Sequence, residues 1–282
     1  MFWERFIAAM QAYPVFFAVF WTWIGACIGS FLNVCIWRVP NGMSLLKPPS
    51  HCPKCGHLIA FYENIPVFAW LFLRGKCSSC HDRISVRYPL VELLTAVVFL
   101  GVWLSSGGGN ADLLTLLLDF VLASVLIASA FTDCDWRIVP DGFVLTLTGA
   151  ALAVIALQGY QTGNWTGVLL RLGQAAVAGI VLSGLAMLGK GITGKTVLGW
   201  GDVKLLTAMA LALADFRLWL CALIASCFLA LLLAPLYRKL KPKMKYRAIP
   251  FVPFIALGTA IVFFCRDAVL LKLNGLLMMC HQ

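Results

Sequence analysis

Charge is what this sequence has little of. Of its 282 residues only 12% are Asp, Glu, Lys or Arg, whereas 61% are hydrophobic and the mean hydropathy is +0.90. Soluble domains carry about 25% charged residues, so a water-soluble fold is excluded. Acid is scarcer than base, with 12 acidic against 22 basic side chains and 4 histidines, so the place of each carboxylate carries information. A disulfide framework is also missing. The 11 cysteines are an odd number, and Cys27, Cys35, Cys134, Cys221, Cys227, Cys265 and Cys280 scatter in or beside apolar runs. The first apolar run lacks a basic leader and a small-residue cleavage site, which favours a retained span over a signal peptide.

What is present is a succession of apolar runs, enough for about eight spans of roughly 20 residues each. They fall at 14–36, 88–105, 112–132, 142–160, 168–189, 203–217, 219–237 and 249–265, the sixth being short. The expected fold class is an all-α polytopic membrane protein. It divides into a first transmembrane segment over 1–36, a polar module over 37–87 and a seven-helix core over 88–282.

The net charge of +10 is explained by topology rather than by nucleic acid. Lys and Arg crowd alternate loops: 17 of the 22 lie on one side, and Arg5, Arg171, Arg217, Arg266 and Lys272 lie on the other. Cytoplasmic loops are the ones enriched in Lys and Arg. The module over 37–87 is therefore expected in the cytoplasm, both termini outside it, and the partners are membrane lipid and no nucleic acid.

Within the module, Cys52-Pro-Lys-Cys55 and Cys77-Ser-Ser-Cys80 form two CxxC pairs separated by 21 residues. Four thiolates suit one tetrahedral zinc, with each pair offered by a tight turn eased by Gly56, Ser78 and Ser79. Four Cys close the coordination sphere, so the zinc is expected to be structural, and a polar module of this size needs such a staple. Iron held by the same sulfurs for electron transfer is the competing reading. His51, His57 and His81 flank the site as outer-shell or solvent groups.

Asp133, Asp135 and Asp141 sit in FTDCDWRIVPDG, and Asp202 in GWGDVK, all at helix ends on the basic side. Asp133 closes the third span and Asp202 opens the sixth. If the two approach, repulsion and desolvation keep them from ionising together, so one carboxyl polarises a scissile carbonyl while the other takes a proton from water. Gly199 and Gly201 form a flexible loop where backbone can lie close to an extended substrate. The plainer expectation is that Asp141 and Asp202 N-cap their helices. Asp119 lies about 21 Å from Asp133 along one helix, too far to join it.

Other patterns carry less. GKGITGKT at 189–196 matches the P-loop spacing without the strand-to-helix context that makes it bind phosphate. Gly107, Gly108 and Gly109 read as a linker. Gly25 and Gly29 make a GxxxG pair suited to close helix packing. Asn164-Trp-Thr is a glycosylation sequon with meaning only in a eukaryotic secretory host.

Taken together, GSFLNVCIWRVP (29–40), the CxxC pairs, YENIPV (62–67), RYPLVE (87–92), TDCDWRIVPD (132–141), GWGDVKLL (199–206) and IPFVPF (249–254) resemble the type IV prepilin peptidases. These are GxGD aspartyl proteases and N-methyltransferases of bacterial inner membranes. The resemblance implies Asp133 and Asp202 as the catalytic pair. It also implies prepilin or type II secretion pseudopilin substrates cut at the cytoplasmic face, and S-adenosylmethionine as methyl donor, with no residue assignable to the cofactor. Val252 departs from the glycine that the family often has before Pro253, and is expected to leave the pair untouched. Glu63 and Glu92, inside family motifs, are candidate contacts for a basic leader. A proton- or ion-coupled transporter and a non-catalytic zinc-bearing assembly factor are the alternative readings.

Overall fold

The structure is a computed structural model that describes residues 2–108, 112–194, 198–213, 215–240 and 249–280. Eleven α-helices occur among them: α1 (Phe2–Ala12), α2 (Pro14–Arg38), α3 (Phe68–Phe72), α4 (Arg87–Ser105), α5 (Leu113–Trp136), α6 (Asp141–Thr162), α7 (Trp165–Thr193), α8 (Trp200–Ala212), α9 (Phe216–Leu240), α10 (Val252–Phe264) and α11 (Arg266–Cys280). No strand forms among the described residues; two isolated antiparallel bridges, His51 with Leu58 and Lys76 with Arg83, are the only β pairing there.

Six of these helices, α2, α4, α5, α6, α7 and α9, are long and apolar enough to cross a membrane, and α10 with the start of α11 makes a seventh if that pair, bent by 74°, is one span. The protein is a multi-pass membrane protein. The expected sixth span, 203–217, is instead the 13-residue α8, which stops at Ala212. The chain breaks there because Asp215 accepts the Arg217 N–H at 2.8 Å and so caps the next helix. At about 20 Å, α8 is shorter than a hydrocarbon core of roughly 30 Å. α11 had no counterpart in the sequence reading.

The chain forms two compact units, Met1–Ser124 and Val125–Gln282. In the first, α2 and α4 run antiparallel in close contact. A Cβ on Gly25 would lie 2.8 Å from Phe99 Cβ, and one on Gly29 would lie 2.7 Å from Glu92 Cα. Packing between membrane helices depends on such small residues, because apolar side chains gain nothing by leaving lipid. Asn33 Nδ2 fixes the register by donating to the Tyr88 carbonyl at 3.1 Å, and Phe99 stacks on Phe120 at 4.3 Å.

In the second unit α8 lies against α6 and α7, with Val203, Leu205, Leu206 and every residue from Ala208 to Ala212 buried. A helix apolar on all sides belongs inside a bundle. Trp219 Nε1 of α9 donates to the Leu206 carbonyl at 2.9 Å. α9 and α10 meet where Gly258 leaves room for Ser226. The stretch that mimics a P-loop is the last turn of α7 with Gly194 as its left-handed cap; Lys195 and Thr196 lie outside the described residues, as does Gly109.

Candidate active site and metal centre

Within the second unit, the end of α5 and the starts of α6, α8 and α10 converge. Asp133, 8% exposed on α5, has its Oδ2 on the N–H of Val252 at 3.1 Å, and the Phe251 N–H also reaches the carboxylate. Two backbone donors at the start of α10 thus hold a carboxylate where the helix dipole favours one. Asp202 is the third residue of α8, and its carboxylate accepts the N–H of Gly199, the N-cap residue. The two acids interact electrostatically, and the guanidinium of Arg137 acts on Asp133 as a counter-charge. Around them Gly201 packs on Val139, where an added Cβ would lie 3.0 Å away. Lys204 Nζ pairs with Asp141 Oδ1 at 2.8 Å, and Arg137 reaches the Tyr237 hydroxyl at 3.4 Å.

Three sequence expectations change here. Asp141 is not a cap: Pro140 occupies the N-cap position, already extended and needing no N–H, and Asp141 is spent on Lys204. Asp202 does not cap α8 as its first residue; it reaches back from the third position, the acid half of a capping box. Gly199 and Gly201 are not a flexible loop. Gly199 is the extended N-cap and Gly201 lies in the first helical turn, and both are small because neighbours stand within 3.0 Å of where a Cβ would be. Valine in place of glycine at 252 changes nothing in this bond to Asp133, because the donor is a backbone N–H that glycine would equally supply.

Arg137, Phe251 and Val252 were not read as site residues from the sequence. Backbone donors have no residue signature, and Arg137 looked like any other basic residue of a short loop. Asp119, in the first unit, is buried at 8% exposure.

In the first unit the four module cysteines come together, with all four Sγ atoms within 4.8 Å of one another. A tetrahedron with bonds of about 2.3 Å to zinc has edges of about 3.8 Å. Cys52 and Cys80 are 3.8 Å apart, and Cys55 and Cys77 are 4.0 Å apart. The two knuckles repeat one hydrogen-bond pattern. Cys52 N–H donates to the His57 carbonyl and Gly56 N–H to the Cys52 carbonyl; Cys77 N–H donates to Asp82 and His81 N–H to Cys77. Gly56 at φ +71° and His81 at φ +56° hold the same left-handed position, which glycine adopts without strain in one knuckle and histidine adopts at a cost in the other. The N–H groups of Cys55 and Lys54 bring the Cys52 thiol down to about 6, which readies it as a thiolate ligand. The site fits zinc, and the donor set matches iron as well.

Glu63 ties this module together. Its carboxylate takes hydrogen bonds from Ser78 in the second knuckle, from the Ala60 N–H at 2.9 Å and from His57 Nε2 at 3.2 Å. The Ser78 and Ala60 donors hold its carboxyl below the ordinary glutamate range. Glu92, 8% exposed, accepts the Val67 N–H at 2.7 Å and bonds Ser30. Both acids are thus engaged inside the chain. A groove of about 640 Å³ beside Leu169, Leu170, Val177 and Phe216 is apolar except for Gln174 and Thr166, which does not match a sulfonium ion bearing an amino-acid head.

Residues 23–106 match the Bacterial Peptidase A24 N-terminal domain, and residues 120–234 match the Type IV leader peptidase family. The Type 4 prepilin-like proteins leader peptide-processing enzyme of Escherichia coli O78:H11 is 36% identical over 276 residues, covering 88% of this chain and 94% of that protein. A prepilin leader peptidase/N-methyltransferase of Aeromonas salmonicida is 35% identical, covering 86% and 88%. One of the same name from Myxococcus xanthus is 49% identical over 139 residues, which is 49% of this chain and 40% of that protein. No solved structure matches the chain. With both domains matched in order and two relatives at 35–36% identity covering 86–88% of its length, the chain belongs to the type IV leader peptidase family.

Proposed function

We propose that this protein is an aspartyl endopeptidase of the bacterial inner membrane. It cleaves the leader of type IV prepilins or type II secretion pseudopilins at the cytoplasmic face and then N-methylates the new terminus from S-adenosylmethionine. The observation that carries the reading is that Asp133 and Asp202, 69 positions apart in sequence, interact electrostatically at one end of one helical unit. The convergence of the α5, α6, α8 and α10 ends that bear them favours a fixed site over a mobile linker.

In this mechanism Asp133 and Asp202 share one proton. The carboxylate without it removes a proton from water, the carboxylic acid polarises the scissile carbonyl, and the proton returns to the leaving amine. Phe251 and Val252 N–H groups and Arg137 hold Asp133 in place, and Gly199 leaves space beside Asp202. With α8 counted as a short inner element, this reading has eight membrane elements, and the asymmetry of Lys and Arg in the sequence supports a cytoplasmic pair, on the side where a prepilin leader resides. Cys52, Cys55, Cys77 and Cys80 would hold a structural zinc, which would crosslink the two knuckles. The groove does not suit S-adenosylmethionine, and no methyl-transfer step is assigned to residues. Glu63 and Glu92 serve a leader only by giving up the bonds described above.

The experiment is to incubate the purified protein and its Asp133→Asn and Asp202→Asn variants with a prepilin, with and without S-adenosylmethionine, and to weigh the products. Each variant is expected to lose cleavage by at least ~10³-fold while keeping its metal and its membrane insertion. Full cleavage by either variant overturns the dyad. Transport without cleavage would revive the proton-relay alternative, and iron in place of zinc would revive electron transfer.

A further inference from the structure

The stretch between Glu63 and Arg74, NIPVFAWLFL, contains no charged side chain. About ten apolar residues are too few to span a bilayer and match a re-entrant or interfacial segment. The structure gives its depth. Val67 N–H bonds Glu92, which itself bonds Ser30, and Phe68 stands ring to ring with Trp23 at 6.3 Å. Ser30 and Trp23 lie 8 and 15 residues before Arg38, the end of the 25-residue α2. On an α-helix those separations are roughly 12 and 22 Å. Since α2 is about 37 Å long against a hydrocarbon core of about 30 Å, both levels lie inside the core.

Irregular backbone survives at that depth only if its polar groups are satisfied by protein. Here they are. Ala69 donates to Ile65, Leu71 to Val67, Leu73 to Ala69, and Gly75 to Trp70, all between 2.8 and 3.2 Å. The Val67 N–H, at φ +63° and outside any helix, is met by Glu92. Trp70 Nε1 donates to the Ile84 carbonyl at 3.2 Å, which ties the segment to the second knuckle. Phe68, Leu71 and Phe72 nevertheless remain 50, 56 and 82% exposed, continuous through Trp23 with the exposed apolar face of α2.

We propose that residues 65–73 form a membrane-embedded turn whose outward face, Phe68, Leu71 and Phe72, packs on lipid acyl chains and anchors the cysteine module to the bilayer. Glu92 is then the buried acceptor that lets the turn enter, and Arg74 and Lys76 mark its return to the headgroups.

The test places the photoreactive residue p-benzoylphenylalanine at position 72 of the full chain in phosphatidylethanolamine and phosphatidylglycerol vesicles, followed by irradiation and weighing of the labelled peptide. Position 16, 64% exposed on α2, is the lipid-facing control, and Asn41, exposed beyond the end of α2, is the aqueous one. A phospholipid adduct at 72 in yield matching that at 16, and absent at 41, is expected. An adduct at 72 to a peptide of a second copy or of another protein overturns the proposal. So does any lipid yield at 72 no greater than at 41.

Discussion

Gly199 has backbone angles of φ −68° and ψ +142° that any residue can adopt, so the reason for glycine there is space and not conformation. An added Cβ would stand 3.0 Å from Asp202 Oδ2. Gly199→Ala is expected to shift that carboxylate by a few tenths of an ångström and lower kcat about tenfold with the fold intact. Gly142→Ala, with nothing within 4 Å of its Cβ, should leave prepilin cleavage unchanged, and equal rates for the two would remove the argument. Glu63 makes a pH-dependent prediction. Its carboxyl lies below the ordinary range because Ser78 and the Ala60 N–H bond the charged form. The stability it adds is therefore complete above an unfolded value of about 4.3 and is lost as pH falls through the lower folded value. Thermal melts should place Glu63→Gln below the parent at neutral pH, with the gap closing as pH falls below the ordinary glutamate range; a gap that persists at pH 3 would show that the carboxylate's charge is not what matters.

The α2–α4 pair shows how an element is specified by what it omits. Gly25 and Gly29 were legible as a packing face from their spacing alone, and the Cβ distances of 2.8 and 2.7 Å to Phe99 and Glu92 give that reading its cause. Gly29→Val meets the Glu92 backbone, which cannot swing aside, and overpacking of this kind costs about 1–3 kcal/mol. The expected result is a lower melting temperature and detergent-sensitive loss of the module, whereas Gly184→Ala on α7, with open space around it, is neutral. Asp215 shows the converse limit of sequence reading. Apolar residues run on both sides of it, so hydropathy placed the break at 218, and its cap on Arg217 shows that the break lies between Ala212 and Phe216.

For the whole molecule, the asymmetry of Lys and Arg makes a directional prediction that geometry alone does not make. A reporter enzyme active only outside the cytoplasm, fused after Gly163, should be active, and the same reporter fused after Gly194 should be silent. The reverse pattern would put the Asp133–Asp202 end on the wrong side for a prepilin leader. The count of crossings is a matter of tertiary structure in the same way. α8 is apolar enough for a span but only 13 residues long, and it is tolerated because α6, α7 and α9 surround it with protein where a lone helix would leave its ends in lipid.

Hydropathy, the CxxC spacing and the scarcity of acids were sufficient to determine a polytopic helical protein, a four-cysteine cluster and the two aspartates worth pairing, because each depends on local composition or on residue types that few other sites require. The donors on Asp133, the Arg137 counter-charge, the engagement of Glu63 and Glu92, and the contacts of residues 65–73 with α2 and α4 came only from the tertiary structure. They rest on backbone N–H groups and on contacts between segments distant in sequence, and neither leaves a mark in the order of side chains.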